Sequence, residues 1–514
     1  MKRYVVISVL LLLNMYCHAQ ITFQKTYGGA QDDEFYSVQQ TIDGGYILLG
    51  RTKSFGAGGN DVYLVKTDSL GDTLWTKTYG GTGSDVGNEV QQTTDSGFII
   101  IGFTNSSGPT MVYLIKTDIN GNTLWSKTYK PGVSGGGSSV KQTFDGGYIL
   151  SCSGGTYGTG FLIKTNALGD TLWTKSFKIN LTNSKILQTT DGGYIITGTG
   201  DDLTSYPSYL VLVKTDSNGN PVWKRVYKDT MINHGHSGYS VLQTPDGGYI
   251  ALGNTGGAPS TIYLIKTNSL GDPLWTKSYR KDSSYGGGSC VIHTTDSGFV
   301  IAGTTENGTS TDVYLIKTDS IGNIIWSKSF GGSNSEWTNC MQQTTDGGYI
   351  LAGKTNSFGA GGYDGYLIKT DANGNSGCFE QVVTTVDSVP VTIVSLPADT
   401  LLLGPVIVNS YSSIEGSGCM VNTLCITTTI NEIEVMNLFS IYPNPSQGCF
   451  TVRQNIESKN AILSIYNTLG EKIYVTNLEH NYEIINCSKL VPGIYFISTI
   501  TESKIITAKL IINK

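Results

Sequence analysis

Charge is scarce in this 514-residue chain: Asp, Glu, Lys and Arg make up 14% of it, and the formal net charge is −6. A protein that binds nucleic acid needs a basic face, and no cluster of Lys and Arg supplies one here. The chain also lacks a polybasic segment suited to an anionic membrane surface. We therefore expect neither nucleic acid nor a charged membrane as a partner.

Long apolar runs are missing beyond the first residues. Residues 1–19 combine basic Lys2 and Arg3, an apolar stretch over 5–13 and a small-residue end before Gln20, which is the pattern of a signal peptide. That apolar stretch is too short to span a bilayer comfortably. We expect an exported mature chain with no transmembrane segment.

What the chain does have is one motif that occurs seven times. The pattern T-x-D-[GS]-G-[YF] recurs every 46 to 55 residues, and such a period with strand-like content indicates a repeat array. The Asp residues of the motif are Asp43, Asp95, Asp145, Asp191, Asp246, Asp296 and Asp346.

Each repeat is predicted to be a four-stranded antiparallel meander. In the second copy, apolar and β-branched runs at 90–93, 98–104, 112–117 and 124–129 are separated by Gly-rich turns, and no window has a helical period. A sheet of this kind has two apolar faces, and radial packing against neighbouring sheets covers both, as in a β-propeller.

The ends of the array predict how it closes. Six repeats end in a strand with Trp followed two residues later by Lys or Arg, whereas the seventh stops after Asn375 without that strand. The missing copy stands at the front of the chain, where 23–29 matches 75–81. We therefore expect an all-β, seven-bladed β-propeller over residues 20–378, closed by the N-terminal strand. A stacked β-solenoid is the alternative, although its coils are usually nearer ~20–30 residues.

The repeat pattern resembles a known family. The strings D-G-G-Y-I, D-V-Y-L-I-K-T-D and L-W-x-K-x-Y-G-G are similar to those of secreted bacterial propeller repeats, over about residues 21–378. This resemblance implies the fold but no single activity.

Residues 437–514 differ in composition and carry three signatures in order, at 441–445, 463–470 and 490–496. They resemble the type A C-terminal sorting domain of type IX secretion substrates. The resemblance implies export by the type IX secretion machinery as partner, removal of the domain, and release or attachment at the cell surface. Without the family, the segment predicts a small β-sandwich of short strands.

The segment between, residues 379–436, is rich in Val, Thr and Ser and contains three prolines. We expect an extended spacer, with a small strand-forming module as the alternative. Cys378, Cys419 and Cys425 flank it, and a disulfide could tie its ends, although pairing cannot be deduced from sequence. Cys290 and Cys340 occupy equivalent innermost-strand positions of adjacent blades and fit two buried thiols better than a bridge.

Motifs for metals, cofactors or catalysis are weak. Turns such as 118–122 resemble calcium loops, but they are short and no bidentate carboxylate follows. His234-Gly235-His236 has no identifiable third ligand. The repeated Trp recurs in constant register, which packing explains, and a likeness to quinoprotein repeats has no other support. No set of a nucleophile and a partnering His can be recognised in the sequence. We therefore expect a protein that holds no metal and no cofactor and is not an enzyme.

Any ligand is expected on one rim of the array. The turns T-x-D-G-G and K-T-[DN]-x-x-G-[DN] are nearly invariant and fall on the same rim of a meander, whereas the loops of the opposite rim vary. Because loops on a rigid scaffold carry function, we place a site on the variable rim; unselected drift of these loops is the alternative. The candidate ligand-binding residues are Trp337, Glu336, Tyr206, His234, His236, Tyr239, Arg280 and Tyr285, led by the one Trp outside the repeat register.

These patterns predict a secreted or cell-surface β-propeller that binds a glycan or a protein without catalysis, since aromatic rim residues suit both contacts. One alternative is a secreted polysaccharide hydrolase or lyase that uses variable-rim carboxylates. Another is a structural surface spacer. An enzyme would lose turnover on one carboxylate change, whereas a binder would lose affinity on Trp337→Ala.

Overall fold

The structure is a computed structural model in which the chain divides into two compact units, Met1–Ile430 and Asn431–Lys514. The predicted signal peptide, 1–19, lies outside the described residues. The structure describes residues 20–154, 159–200, 209–229, 236–256, 260–281, 284–388, 393–394, 406–410, 414–416, 420–429, 439–442, 449–454, 461–467, 472–478, 482–486, 489–500 and 505–512.

The described part of the first unit is all-β and has no helix. Its repeats supply 28 strands, most of them seven to nine residues long with strongly apolar centres. These strands are β1 (Gln20–Gly28), β2 (Asp33–Gln40), β3 (Tyr46–Thr52), β4 (Asp61–Thr67), β5 (Thr73–Gly80), β6 (Asp85–Gln92), β7 (Phe98–Thr104), β8 (Met111–Thr117), β9 (Thr123–Pro131), β10 (Gly135–Gln142), β11 (Tyr148–Gly154), β12 (Thr159–Thr165), β13 (Thr171–Phe177), β14 (Ile186–Gln188), β15 (Tyr194–Gly200), β16 (Tyr209–Thr215), β17 (Pro221–Asp229), β18 (His236–Gln243), β19 (Tyr249–Thr255), β20 (Ile262–Thr267), β21 (Pro273–Lys281), β22 (Gly286–His293), β23 (Phe299–Asn307), β24 (Ser310–Thr318), β25 (Ile324–Phe330), β26 (Glu336–Gln343), β27 (Tyr349–Thr355) and β28 (Asp364–Thr370).

The strands form antiparallel sheets of four that follow chain order: β2–β5, β6–β9, β10–β13, β14–β17, β18–β21 and β22–β25. The last repeat supplies β26–β28, and its fourth strand is β1, which pairs with β28 with Phe23 opposite Lys369. Each sheet packs on the next, and β2 packs on β26 and β27. The unit is therefore propeller-like, as the sequence predicted.

The two invariant turns of each repeat are joined by an ion pair. In the first repeat, Asp43 accepts hydrogen bonds from Thr41 Oγ1 at 2.5 Å and from Gly45 N at 3.1 Å. Lys66, whose side chain is buried, reaches from the end of β4 to Asp43 at 2.9 Å. The same Lys–Asp pair recurs in all seven repeats. Both turns therefore lie on one rim of the sheets, as predicted.

The repeated Trp packs each sheet against the next. A Cβ at Gly121, where φ is +75°, would come within 2.8 Å of the Trp75 ring, so only glycine lets this turn lie on the indole. Tyr79 donates a hydrogen bond from its hydroxyl to the Gly121 carbonyl at 2.6 Å. In the sheet that the N-terminal strand completes, Phe23 takes the place of Trp and lies under the turn at Gly71.

The described strands of the segment after the repeats add a fifth strand to six of the seven sheets. Its strands are β29 (Glu380–Val382), β30 (Thr385–Ser388), β31 (Ile393–Val394), β32 (Val406–Ser410), β33 (Ile414–Gly416) and β34 (Met420–Thr429). They pair in turn with β25, β21, β17, β9, β5 and β1. We call residues 380–429 the belt, because it passes the sheets in reverse order along their outer edges. It covers edge strands that would otherwise expose unpaired backbone groups.

A disulfide joins the residues just before the belt to its last strand. Cys378, just before β29, is bonded to Cys425 in β34. This is one of the pairings that the sequence left open. The predicted domain boundaries at residues 378 and 436 stay predictions.

In the described part of the second unit, seven short strands form two sheets, ordered β35-β36-β39 and β38-β37-β40-β41. Side chains from both sheets share one apolar core that includes Phe450, Ile485, Leu463 and Ile497. The strands are β35 (Phe439–Tyr442), β36 (Cys449–Gln454), β37 (Ala461–Tyr466), β38 (Lys472–Leu478), β39 (Tyr482–Asn486), β40 (Gly493–Ile500) and β41 (Ile505–Ile512).

Removing the disulfide should loosen the belt. The bond closes a segment with a sequence separation of 47 residues, and the chain-entropy model gives about 4 kcal/mol for a loop of that length. We expect Cys378→Ser/Cys425→Ser to be cut within residues 380–429 by a protease that leaves the wild type intact. Limited proteolysis with mass mapping measures this. Cys152→Ser, which changes a buried thiol outside the belt, should behave as the wild type; equal cutting of all three proteins would contradict the role of the bond.

Candidate functional site

A β-bulge interrupts the first strand of six sheets at the same place. In β2 the register shifts between Phe35 and Ser37, and β6, β10, β18, β22 and β26 shift at equivalent positions. Bulges re-aim side chains and are common beside functional sites. The bulged residue stands seven positions before the motif Asp, and the equivalent residues of the seven repeats are Tyr36, Asn88, Ser138, Ser184, Tyr239, Ser289 and Asn339.

All seven of these residues line one cavity of about 430 Å³, which we call the mouth cavity. Arg51, Phe103, Asn183 and Lys185 complete most of its wall. The lining thus offers amides, hydroxyls, two phenols and two cations together with an aromatic ring. Such a mixture of apolar surface and a few directed polar groups is typical of small-molecule sites.

Glu34 is the charged centre beside this cavity. Its carboxylate accepts hydrogen bonds from Tyr36 Oη at 2.7 Å, Arg51 Nη2 at 2.6 Å and Lys354 Nζ at 3.2 Å. Burial alone would raise the pKa of Glu34, but the hydrogen bonds from Arg51 and Tyr36 and the charge of Lys354 outweigh it and lower that pKa. Burial and the Glu34 charge raise the pKa of Tyr36, so its hydroxyl stays protonated and donates.

Trp337 lies next to this centre and is half-buried. Its ring meets the Tyr363 ring edge-on, with 5.5 Å between ring centroids. The Lys354 ammonium lies 5.0 Å from the Trp337 centroid and 4.5 Å from the Tyr363 centroid. We call these three residues the aromatic platform. Because Lys354 also bonds to Glu34, the platform is connected to the wall of the mouth cavity.

The other candidate residues fall in different places. Tyr239 lines the mouth cavity. Glu336 is fully buried, and its carboxylate accepts hydrogen bonds from Gly332 N at 2.9 Å and Thr355 Oγ1 at 2.7 Å, so it does not face solvent. Tyr285 is exposed just before β22, and its backbone amide donates a hydrogen bond to the Glu306 carboxylate. Arg280 is half-buried in β21.

Three of the candidates lie wholly or partly outside the described residues. Tyr206 and His234 lie outside the described residues. The backbone of His236 is described in β18, opposite Thr255, but its side chain is not. Of the candidates, Tyr239 therefore lines the mouth cavity. Trp337 lies outside the lining and is linked to it through Lys354 and Glu34.

Sequence reasoning missed Tyr36, Arg51, Lys354 and Tyr363. Counting back seven residues from each motif Asp would have found Tyr36. Counting forward eight from Asp43 and Asp346 gives Arg51 and Lys354, the only cations at that offset among the seven repeats. No comparable signal marks Tyr363.

Three junctions between sheets on the same rim hold a pair of buried carboxylates. One comes from the start of a third strand and the other from the start of the next first strand. The pairs are Asp364 with Asp33, Asp61 with Asp85, and Asp312 with Glu336, and all six residues are at most 3% exposed.

A glycine separates the two acids at each of these junctions. A Cβ at Gly28 would lie 2.0 Å from Asp364 Oδ1 and 2.8 Å from Asp33 Oδ2, and Gly80 and Gly331 meet their pairs in the same way. The other four junctions have no acid at either position and carry Lys or Arg in place of the glycine. Those residues are Lys130, Lys178, Lys228 and Arg280. The acids and the glycine therefore occur together or not at all. The candidate Arg280 stands at the glycine position of a junction that has no acids, which is a structural reason for its presence.

Two of the paired acids have a raised pKa. Burial, together with the charge of Asp33, raises the pKa of Asp364 to about 7. Burial also raises the pKa of Asp61, despite hydrogen bonds from Gly58 and Ala57 that oppose it, and Asp85 adds to the rise. Asp364 therefore holds a proton near neutral pH, because two like charges cannot easily be buried side by side.

Comparison with known proteins bears mainly on the second unit. Residues 440–513 match the family described as a secretion system C-terminal sorting domain. The protein is thus a propeller-like β-repeat protein with a sorting domain. It is a secreted, cell-surface protein, and that domain implies interaction with the type IX secretion machinery, as predicted. Among the described residues, no helix has the length and apolarity to cross a membrane.

Solved structures resemble the chain only distantly. PorZ, an essential bacterial surface component of the type IX secretion system of Porphyromonas gingivalis, has 12% identity and a TM-score of 0.42; the match covers 95% of this chain and 60% of PorZ. Sqt1 from Chaetomium thermophilum has 11% identity and a TM-score of 0.41, and the match covers 68% of this chain and 98% of Sqt1. A GH43 beta 1,3-galactosidase has 14% identity and a TM-score of 0.29, and the match covers 68% of this chain and 95% of the galactosidase. No curated protein sequence matches significantly. At such scores nothing follows about what this chain binds.

The carboxylate pair at Asp364 should make folding stability depend on pH. A folded-state pKa of about 7, raised from 3.8, gives stability that is fully present below about pH 4 and is lost as the pH rises to about 7. We expect Asp364→Asn to abolish that decline and to raise the free energy of unfolding at pH 8 by up to about 4 kcal/mol. Thermal melting at pH 5 and pH 8 measures both effects.

Asp246→Asn is the matched control. Hydrogen bonds from Lys266 and Thr244 lower the pKa of Asp246 to about 2, so its contribution is complete above about pH 4. This variant should lose stability equally at pH 5 and pH 8. An Asp364→Asn protein with the same behaviour would show that the pair holds no proton.

Proposed function

We propose that the protein is a non-catalytic binding protein of the cell surface. Its scaffold is a seven-bladed β-propeller over residues 20–378, closed by the N-terminal strand. Its ligand is a glycan held on the variable rim, at the mouth cavity and the aromatic platform. The observation that carries the proposal is the link of the aromatic platform, through Lys354 and Glu34, to the wall of a cavity that residues of all seven repeats line.

Three features support the closed ring. β1 is the fourth strand of the sheet formed by the last repeat. β2 of the first repeat packs on β26 and β27 of the last. Side chains at one offset in every repeat line the same cavity. In a stacked solenoid the first and last repeats lie at opposite ends, so none of these three features would arise.

A sugar fits the chemistry of the site. Pyranose rings offer an apolar face to an aromatic side chain and hydroxyls to amides and charged groups, and the mouth cavity supplies both kinds of partner. Trp337 and Tyr363 would supply aromatic contact. Asn88, Asn183 and Asn339 line the wall with amides, although Asn88 and Asn339 also donate to backbone carbonyls of neighbouring sheets.

The carboxylates on this rim support binding rather than hydrolysis. Glycosidases use two carboxyl groups that flank the bond to be cleaved, one of them protonated. Glu34 borders the cavity, but it is ionised and bonded to three donors. Asp32 pairs with Lys53 at 2.8 Å and accepts from Tyr363 N. Asp364 has a pKa raised to about 7, yet it is buried against Gly28 rather than open to a substrate.

Truncating the platform should weaken glycan binding. We expect Trp337→Ala to raise the Kd for the bound glycan about tenfold, because truncating a central aromatic contact commonly costs more than about 1 kcal/mol. Trp337→Phe should retain part of the affinity. A glycan array, followed by calorimetry and product analysis on each hit with the purified protein, measures this.

Ile42→Ala is the control, since Ile42 is 87% exposed in an invariant turn on the opposite rim. It should leave the Kd unchanged. Release of oligosaccharide would replace the proposal with a polysaccharide hydrolase or lyase. Absence of binding to every glycan would leave a protein ligand or a structural spacer.

A further inference from the structure

One position beyond each bulge, a second set of side chains lies six residues before the motif Asp. Most of them reach the backbone of the following sheet: Ser37 Oγ accepts from Val90 N at 3.2 Å, and Glu89 Oε2 accepts from Val140 N at 2.8 Å. We call this set the waist ring. Its members are Ser37, Glu89, Ser139, Lys185, Ser240, Cys290 and Cys340.

The two cysteines of the waist ring belong to neighbouring sheets. The thiols of Cys290 in β22 and Cys340 in β26 are close enough to interact, and the interaction raises the pKa of Cys290 and lowers that of Cys340. Cys290 Sγ also lies 3.7 Å from the carbonyl of Met341, the residue after Cys340. The side chains therefore meet across the boundary between two sheets rather than within one.

Cys340 is half-buried, whereas Cys290 is buried, and a cavity borders the pair. Both cysteines line a cavity of about 500 Å³ that also contains Ser37, Glu89 and Lys185. Cys152 provides a contrast within the same chain. It is fully buried in the apolar cluster around β11 and lines neither this cavity nor the mouth cavity.

The surroundings favour reaction at one of the two sulfurs. The hydrogen bond from Cys290 and the positive charge of Lys185 lower the pKa of Cys340, although burial opposes this. Lys185 keeps its charge because it pairs with Glu89 at 2.9 Å. A thiolate is the nucleophile in thiol–disulfide exchange. Cys340 is therefore the sulfur that attacks first.

We propose that Cys290 and Cys340 are an oxidisable pair that closes to a disulfide between neighbouring sheets. The Cys340 thiolate attacks one sulfur of a low-molecular-mass disulfide, which releases one small thiolate and leaves a mixed disulfide on Cys340. Cys290 then gives its proton to solvent, attacks the Cys340 sulfur and displaces the second small thiolate. The protein dithiol loses two electrons and two protons, and the small disulfide is reduced to two thiols.

The cellular location of the protein agrees with this chemistry. The sorting domain places the chain outside the cell, where disulfides form and persist, and the chain already contains the Cys378–Cys425 bond. The new bond would join the sheet of β22–β25 to the sheet of β26–β28 and β1.

The test is oxidation of the native protein with glutathione disulfide, followed by alkylation under denaturing conditions and peptide mass analysis. We expect a peptide that joins Cys290 to Cys340, lighter than the two reduced peptides by two hydrogen atoms, and a higher melting temperature. Cys152→Ser should form the same link at the same rate. Recovery of both cysteines in alkylated form from the oxidised wild type would overturn the proposal.

Single variants test the order of attack and do not depend on the cross-link. Cys290→Ser should accumulate a glutathione mixed disulfide on Cys340, because no second thiol resolves it. Cys340→Ser should leave Cys290 largely unmodified. Circular dichroism and melting verify that both variants fold. Equal modification of Cys290 and Cys340 in these variants would remove the role assigned to Cys340.

Discussion

The ion pair between a buried lysine and the turn aspartate is the constraint on which the rest of the array depends. In each repeat the lysine side chain is only 2% to 9% exposed, and Lys66 also donates to the Thr67 carbonyl at 2.9 Å. A surface pair would contribute little, but here the ammonium has left water and needs its partner. The pair fixes both invariant turns, and the second of these covers the Trp of the preceding sheet, so it also sets the spacing between sheets.

Because this ion pair and its two turns recur on one rim of the array, the loops that vary in sequence lie on the other rim. There the junctions between sheets are of two kinds: a glycine between two buried acids, or a Lys or Arg with no acids. The choice is steric as well as electrostatic, because a side chain at Gly28 would collide with both carboxylates. Three acidic junctions stand in succession, on both sides of the first repeat and before the last. The platform with Trp337 and Tyr363 lies in this same part of the rim.

Much of the scaffold was predictable because repetition makes spacing informative. The meander, the packing role of the Trp and the sorting domain all follow from patterns that recur or match a family. The site was less predictable. Glu336 and Trp337 are neighbours in sequence, but side chains alternate faces along a strand, so one enters a buried junction while the other faces the rim. The belt could not be read either, since its pairing depends on the edges of distant sheets and its own residues carry no repeat.

The bulge explains how one short strand serves two purposes. A regular strand would turn consecutive residues to opposite faces, whereas the bulge in β2 lets Tyr36 and Ser37 both contribute to the interior of the array, one lining the mouth cavity and the other the cavity of the waist ring. Six of the seven waist-ring side chains then bond to the backbone of the next sheet, and this leaves the mouth residues free to differ. The residue at the mouth therefore varies among Tyr, Asn and Ser from repeat to repeat while the contacts between sheets are kept.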